Sequence, residues 1–207
     1  MKNIFMRLTV MAFSAILILA AGCSATRPAK FYTLSSIKAP EAESRKQAIT
    51  EDVAVGIGPV RFPDYLNRPQ VVTRNSRNAL KFSEFHRWGG SLKDDFSAVL
   101  AENLSILLSS NRISLFPWKK ATPIDYRITA DVIHFEGEID GSVVLKVRWV
   151  ILDGTEKRVI LMKKSTFSVV VEGNGYEALA SAQSRALEDF SREIAGSIHA
   201  IKNGFKT

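Results

Sequence analysis

The sequence predicts an α/β fold, a single-domain sandwich in which a mixed, largely antiparallel sheet is packed by two main helices. Three observations carry this expectation. Two apolar stripes recur with helical spacing, one mid-chain and one at the end. Between them, residues 126–171 read as β-rich runs separated by short turns. A composition of 46% hydrophobic and 24% charged residues over 207 positions suits one packed core, and neither an internal repeat nor a second-domain boundary interrupts it.

In chain order, Lys2 and Arg7 form a positive segment, Leu8–Leu19 is apolar and uncharged, and Ala20, Ala21 and Gly22 lead directly to Cys23. This is the pattern of a secretory signal, predicted over residues 1–22. The apolar run is short of the about 20 residues that span a bilayer. Leu19-Ala20-Ala21-Gly22-Cys23 resembles the lipobox of bacterial lipoproteins, in which the cysteine becomes the acylated first residue. The bland alternative is an ordinary signal with a chance cysteine, but this is the only cysteine in the chain. Ser24, rather than Asp, follows it, which in such lipoproteins implies the inner leaflet of the outer membrane. The expected modification is a covalent diacylglyceryl and N-acyl lipid on Cys23, with no other cofactor.

Residues 23–30, the lipidated Cys and a polar tether carrying Pro28, precede the domain predicted over residues 31–207. Phe31–Ser36 reads as a short strand, Ile37–Asp52 as a polar loop and Val53–Phe62 as a strand. Pro63 and Pro69 bracket a loop, after which Gln70–Arg74 and Ala79–Phe85 could pair as a hairpin. Leu92, Phe96, Val99, Leu100, Leu104, Leu107 and Leu108 predict a helix over Leu92–Ser109, capped by Ser91. Ile113–Phe116 is a short strand candidate. Tyr126, Ile128, Ala130 and Val132 alternate with polar residues, as in a half-buried strand. Ser142–Leu152 and Arg158–Val171 continue it as an antiparallel meander. The stripe from Tyr176 through Phe190 to Ile201 predicts a long final helix.

Chemistry is sparse. The chain carries a net charge of +7, two units of which, Lys2 and Arg7, leave with the signal. One cysteine forms no intrachain disulfide, and with three scattered histidines it supplies no zinc pattern. Gly56-Ile57-Gly58 follows a strand as a dinucleotide loop would, but Pro59 removes a donor and no third glycine opens a helix; a bulge or turn is the better reading. His86, His134 and His199 lack HExxH spacing and read as surface or packing residues, and no serine sits in a nucleophile elbow. Asp94 and Asp95 diverge on a helix and suit its first turn. Arg68, Arg74, Arg77, Lys81 and Arg87 stand against Glu84 alone between Arg68 and Trp88, so this stretch is either a solvated hairpin or a face for lipid headgroups or an acidic partner. Its aromatic interleaving also suits single-stranded nucleic acid, which export removes as a partner. Trp118-Lys119-Lys120 is a weaker candidate of the same kind, closer to a strand end with snorkelling lysines.

The lipobox, Phe31-Tyr32-Thr33-Leu34, the strand leading into Pro63-Asp64-Tyr65-Leu66-Asn67-Arg68-Pro69, and Arg87-Trp88-Gly89-Gly90-Ser91-Leu92 opening a helix together resemble the PqiC/YmbA family. These are auxiliary lipoproteins of ABC-type transport systems associated with MCE proteins. Gly89-Gly90 departs from the pairs common in that family, which bears on the local loop shape. The resemblance implies no enzyme. It implies an outer-membrane-anchored periplasmic lipoprotein that docks an MCE-domain protein in intermembrane lipid transport and supports envelope integrity. Tyr65, Leu66, Arg68, Arg87 and Trp88 are the candidate partner-binding residues, with core packing as the alternative for Tyr65, Leu66 and Trp88. A symmetric bridging partner is compatible with a homo-oligomer, which no residue pattern specifies. The rival functions are an activator or scaffold for a peptidoglycan synthase, for which the tether is short, a periplasmic hydrolase, and a lipid carrier with its own deep cavity.

Overall fold

Residues that alternate in polarity along the chain alternate in burial, and this sorts the sheet into one covered and one bare face. The computed structural model describes residues 27–38, 53–119, 122–155 and 158–204, with Ile4, Met6, Arg7 and Met11. Cys23 and all but the first two residues of the expected 37–52 loop lie outside the described residues. The elements are β1 (Lys30–Tyr32), β2 (Val55–Arg61), a single 3-10 turn (Asp64–Leu66), β3 (Gln70–Ser76), β4 (Ala79–Trp88), α1 (Leu92–Leu107), β5 (Ile113–Leu115), β6 (Tyr126–Gly137), β7 (Ser142–Asp153), β8 (Val159–Val170) and α2 (Gly175–Lys202).

The predicted meander is the centre of an eight-stranded mixed sheet: β7 pairs antiparallel with β6 on one side and β8 on the other. On its opposite edge β6 runs parallel to β2, which runs parallel to β5. β3 takes over that edge at the far end of β6 through Thr73 and Gly137, and carries the predicted hairpin partner β4 and then β1. Gly56 and Ile57 pair in regular register with Arg127 and Ile128, and the β2–β6 register shifts between Ile57 and Val60, so the bulge falls at Gly58-Pro59, the end of the Gly-Ile-Gly segment. Gly58 is required there: its φ is +119°, and a Cβ would lie 2.6 Å from Cβ of Phe116. Gly56 leaves room for Trp118 and Ile124, which lie 3.2 and 2.9 Å from where its Cβ would stand.

Both helices cover one face. The Ser91 hydroxyl accepts from the Asp94 amide at 3.3 Å and caps α1, which buries Leu92, Phe96, Val99, Leu100 and Leu104. α2 buries Leu179, Leu187, Phe190, Ile194 and Ile198. They close on the inward residues of β6 and β7 through edge-to-face aromatics, with Phe96 5.2 Å from Phe135 and Trp149 5.8 Å from Phe190. The indole N–H of Trp149 donates to Ser165 at 3.0 Å, and Gln183 of α2 donates to the Phe135 carbonyl at 2.7 Å.

The first strand is shorter than its sequence suggests. Beyond Tyr32 the chain leaves β4 and crosses the two helices, where side chains replace a strand neighbour: Leu34 N–H donates to Asp95 at 2.7 Å, Ser35 N–H to Ser184 at 3.1 Å and Ile37 N–H to Asn103 at 2.9 Å. Leu34, only 6% exposed, anchors this crossing.

Truncating Phe190→Ala should destabilise the domain by about 3–5 kcal/mol in urea unfolding, because four elements meet at its ring. Met162→Ala on the bare face should change stability by no more than about 0.5 kcal/mol.

Candidate functional site

The two sequence blocks that carry the family resemblance are knitted to each other. Prolines 63 and 69 frame a loop whose single 3-10 turn is closed by Leu66 N–H to Pro63 O at 2.9 Å. Trp88 N–H then donates to Pro69 O at 2.7 Å, and Gly89 N–H donates to Tyr32 O at 2.7 Å. The segment opening α1 thereby holds both the loop and β1. Gly89 and Gly90 are outside the left-handed region, so this junction makes no backbone demand for glycine.

The five candidate residues divide. Leu66 and Trp88 are 3% and 4% exposed and belong to the hydrophobic core. Their side chains offer no surface to a partner; an apolar residue beside a loop proline packs inward here because its backbone is already satisfied locally. Tyr65 is half-buried and faces inward. Arg68 is exposed, its guanidinium 4.2 Å above the Phe82 ring, and Arg87 is half-buried with Nε donating to Glu84 O at 3.4 Å.

Tyr65 leads to a node that pattern reading missed. Its hydroxyl donates to Glu136 Oε2 at 2.9 Å, and the Phe135 amide donates to the same oxygen at 2.9 Å. Oε1 accepts from Arg74 Nε at 2.9 Å, from Arg74 Nη2, and from His134 Nδ1 at 3.0 Å. A carboxylate only accepts, so His134 carries its proton on Nδ1. The Glu136 side chain is 1% exposed. Burial pushes its carboxyl upward, but the bonds from Arg74, His134, the Phe135 amide and Tyr65 outweigh it and hold the group below the ordinary range. Burial first, then the Glu136 charge, raise the Tyr65 phenol. The signal available in sequence was slight, an acid within the β run Ile133-His134-Phe135-Glu136-Gly137.

The node forms one end of a groove of about 740 Å³ that also borders Arg77, Asn78, Lys146, Val144 and Val170. It carries no nucleophile positioned by a base. The remaining histidines are placed by packing: His86 stacks 3.9 Å from the Tyr176 ring and takes Nδ1 to 2.7 Å from the Tyr32 hydroxyl, and His199 is half-buried in α2. Burial, then the Lys30 charge, lower the His86 pKa. Trp118 is covered by Arg127, 5.0 Å over its ring. Among the described residues, no group of three or more His, Cys, Asp or Glu could hold a metal, and no helix is long and apolar enough to cross a membrane.

Arg74→Ala should cost about 3–5 kcal/mol, because it strands a buried carboxylate. Since folding lowers the Glu136 pKa, its contribution is present above the unfolded value of about 4.3 and is lost as pH falls through the lower folded value. Urea midpoints measured from pH 6 downward should therefore fall more steeply for wild type than for Glu136→Gln.

Comparison with known proteins follows this geometry. The search of curated proteins gave no significant match. A solved structure described as an uncharacterized protein superposes with a TM-score of 0.68 at 18% identity, covering 83% of this chain and 99% of its own. A Xanthomonas campestris protein of family DUF330 gives a TM-score of 0.68 at 14% identity, covering 86% of this chain and all of its own (100%). At these identities the likeness is one of fold. The family described as "ABC-type transport auxiliary lipoprotein component" matches residues 32–195, from the end of β1 to within α2. That span contains both knitted blocks and the Glu136 node, and the chain belongs to this PqiC/YmbA-like family of transport auxiliary lipoproteins, which is not an enzyme family.

Proposed function

We propose that the protein is the outer-membrane-anchored periplasmic subunit of an MCE-type intermembrane lipid transport system, acylated on Cys23, where it docks the MCE assembly and supports envelope integrity. Family membership supports a transport role. The observation that carries the docking part is the bare sheet face. Across β6, β7 and β8 the register aligns Asp131, Arg148 and Lys164. Arg61 pairs with Asp131, and among the described residues no acid engages Arg148, Lys164 or the neighbouring Lys146. Met162 and Val170 flank them at 70% and 67% exposure. Cations bordered by apolar side chains, on a face that no described element covers, suit an acidic and apolar protein surface.

This placement replaces Leu66 and Trp88, which are core, as docking side chains. The far strand of this face, β8, is also well separated from β1, the first described strand. β1 and β8 lie at opposite ends of the sheet, five strand steps apart. At about 4.8 Å per step that is roughly 24 Å, and a twist of about 20–25° per step turns the two ends roughly 100–125° apart.

The test is cross-linking in isolated envelopes followed by mass spectrometry. Wild type should capture an MCE-domain protein. Cys23→Ala should lose it, and Arg148→Glu with Lys164→Glu should lose it without a change in thermal unfolding. Capture of a cell-wall synthase instead would establish the activator function, and capture untouched by charge reversal would remove the bare face from docking.

A further inference from the structure

The tether keeps the domain close to its bilayer, and the side chains at its root offer a surface to lie against it. Six residues, and so seven Cα-to-Cα steps, separate Cys23 from Lys30, the first residue of β1. Fully extended, those seven steps reach about 25 Å, so an acylated Cys23 keeps the domain within that distance of the bilayer, with β1 the first element the tether meets. Among the described residues β1 is an edge strand, paired only with β4.

Phe31 is 66% exposed at this edge, although its neighbours in the same strand, Lys30 and Tyr32, pair with His86 and Trp88 on the side facing the helices. The register places Phe31 beside Arg87, and Arg87 beside Gln70. Further along β4, Phe82 is 41% exposed and lies under the Arg68 guanidinium. From Arg68 to Trp88 the only acid is Glu84, and Arg74, which could have added charge, is committed to Glu136. Two exposed aromatic rings, each beside an arginine, therefore sit where the chain departs toward its anchor. Aromatic rings and arginines together are the side chains that settle at a bilayer's headgroup level, and basic groups are drawn to anionic leaflets.

We infer that the surface formed by Phe31, Arg68, Phe82 and Arg87 lies against the headgroup layer of an anionic phospholipid leaflet and orients the domain on the membrane. The inference rests on the acyl-anchor reading of Cys23. It assigns one of the two open possibilities for the basic stretch to lipid, and it frees the β6–β8 face, turned away from this edge, for a protein.

The full-length acylated protein, reconstituted into phosphatidylethanolamine vesicles with and without phosphatidylglycerol, provides the test. A spin label on Phe31→Cys should be shielded from an aqueous nickel relaxant at least ten-fold more than one on Met162→Cys. The shielding should shrink when phosphatidylglycerol is omitted or when Arg68→Glu and Arg87→Glu are introduced. Equal relaxant access at the two positions would overturn the orientation, and so would shielding of position 31 that appears only when an envelope protein is added. The intact mass of the purified protein reports acylation separately. A mass without acyl groups overturns the anchor and the inference together, whereas an acylated protein with a water-exposed Phe31 position overturns the orientation alone.

Discussion

A buried carboxylate ties the proline-framed loop and the β3–β4–β1 end of the sheet to β6. Glu136 stands near the end of β6, where β2 has left that edge of the sheet and β3 takes its place through a single residue pair, Thr73 with Gly137. So thin a ladder could not set the position of β3, β4 and β1 by itself. Arg74 from β3 and Tyr65 from the proline-framed loop both close on Glu136, and His134 closes from within β6. The contrast with Arg61–Asp131 is instructive. That pair is 73% and 36% exposed and contributes at most about 1 kcal/mol. The Glu136 pair is worth little against an apolar substitute of equal shape, yet its directional bonds admit one arrangement of loop and strands.

The two ends of the sheet differ on either side of that node. Both helices pack on one face, where most of the buried apolar side chains gather. Among the described residues, the Tyr65 loop closes on the opposite face at Glu136. Beyond the loop in one direction it becomes the bare surface of β6–β8, and in the other the edge at β1. The surface proposed to meet the membrane and the surface proposed to meet a partner therefore fall on different strands, β1 with β4 and β6 to β8.

Pattern reading placed the strands and helices well where burial has a period. The α1 and α2 stripes and the β6–β8 meander are one-sided, so each residue's polarity reported its side. It overextended β1, whose residues after Tyr32 are just as β-prone but bond to Asp95, Ser184 and Asn103 on distant elements. It also left Leu66 and Trp88 undecided, because an apolar residue in a loop looks the same whether it packs or protrudes. Glu136 escaped because a single acid in a strand says nothing of its partners, which lie 62 and 71 residues away.

By itself the sequence determined the family and the architecture. The signal pattern ending at Cys23, the two blocks around Tyr65 and Trp88 and the apolar periodicities are local features, and local sterics and burial preference write them directly into residue order. Tertiary structure alone decided which of the marked residues have a surface to offer. Leu66 and Trp88 went to the core, Tyr65 and Arg74 to Glu136, and Phe31, Arg68 and Arg87 stayed toward solvent. The physical reason is that exposure and charge pairing depend on what arrives from distant parts of the chain to cover or neutralise a side chain, and composition and spacing carry no record of that arrival.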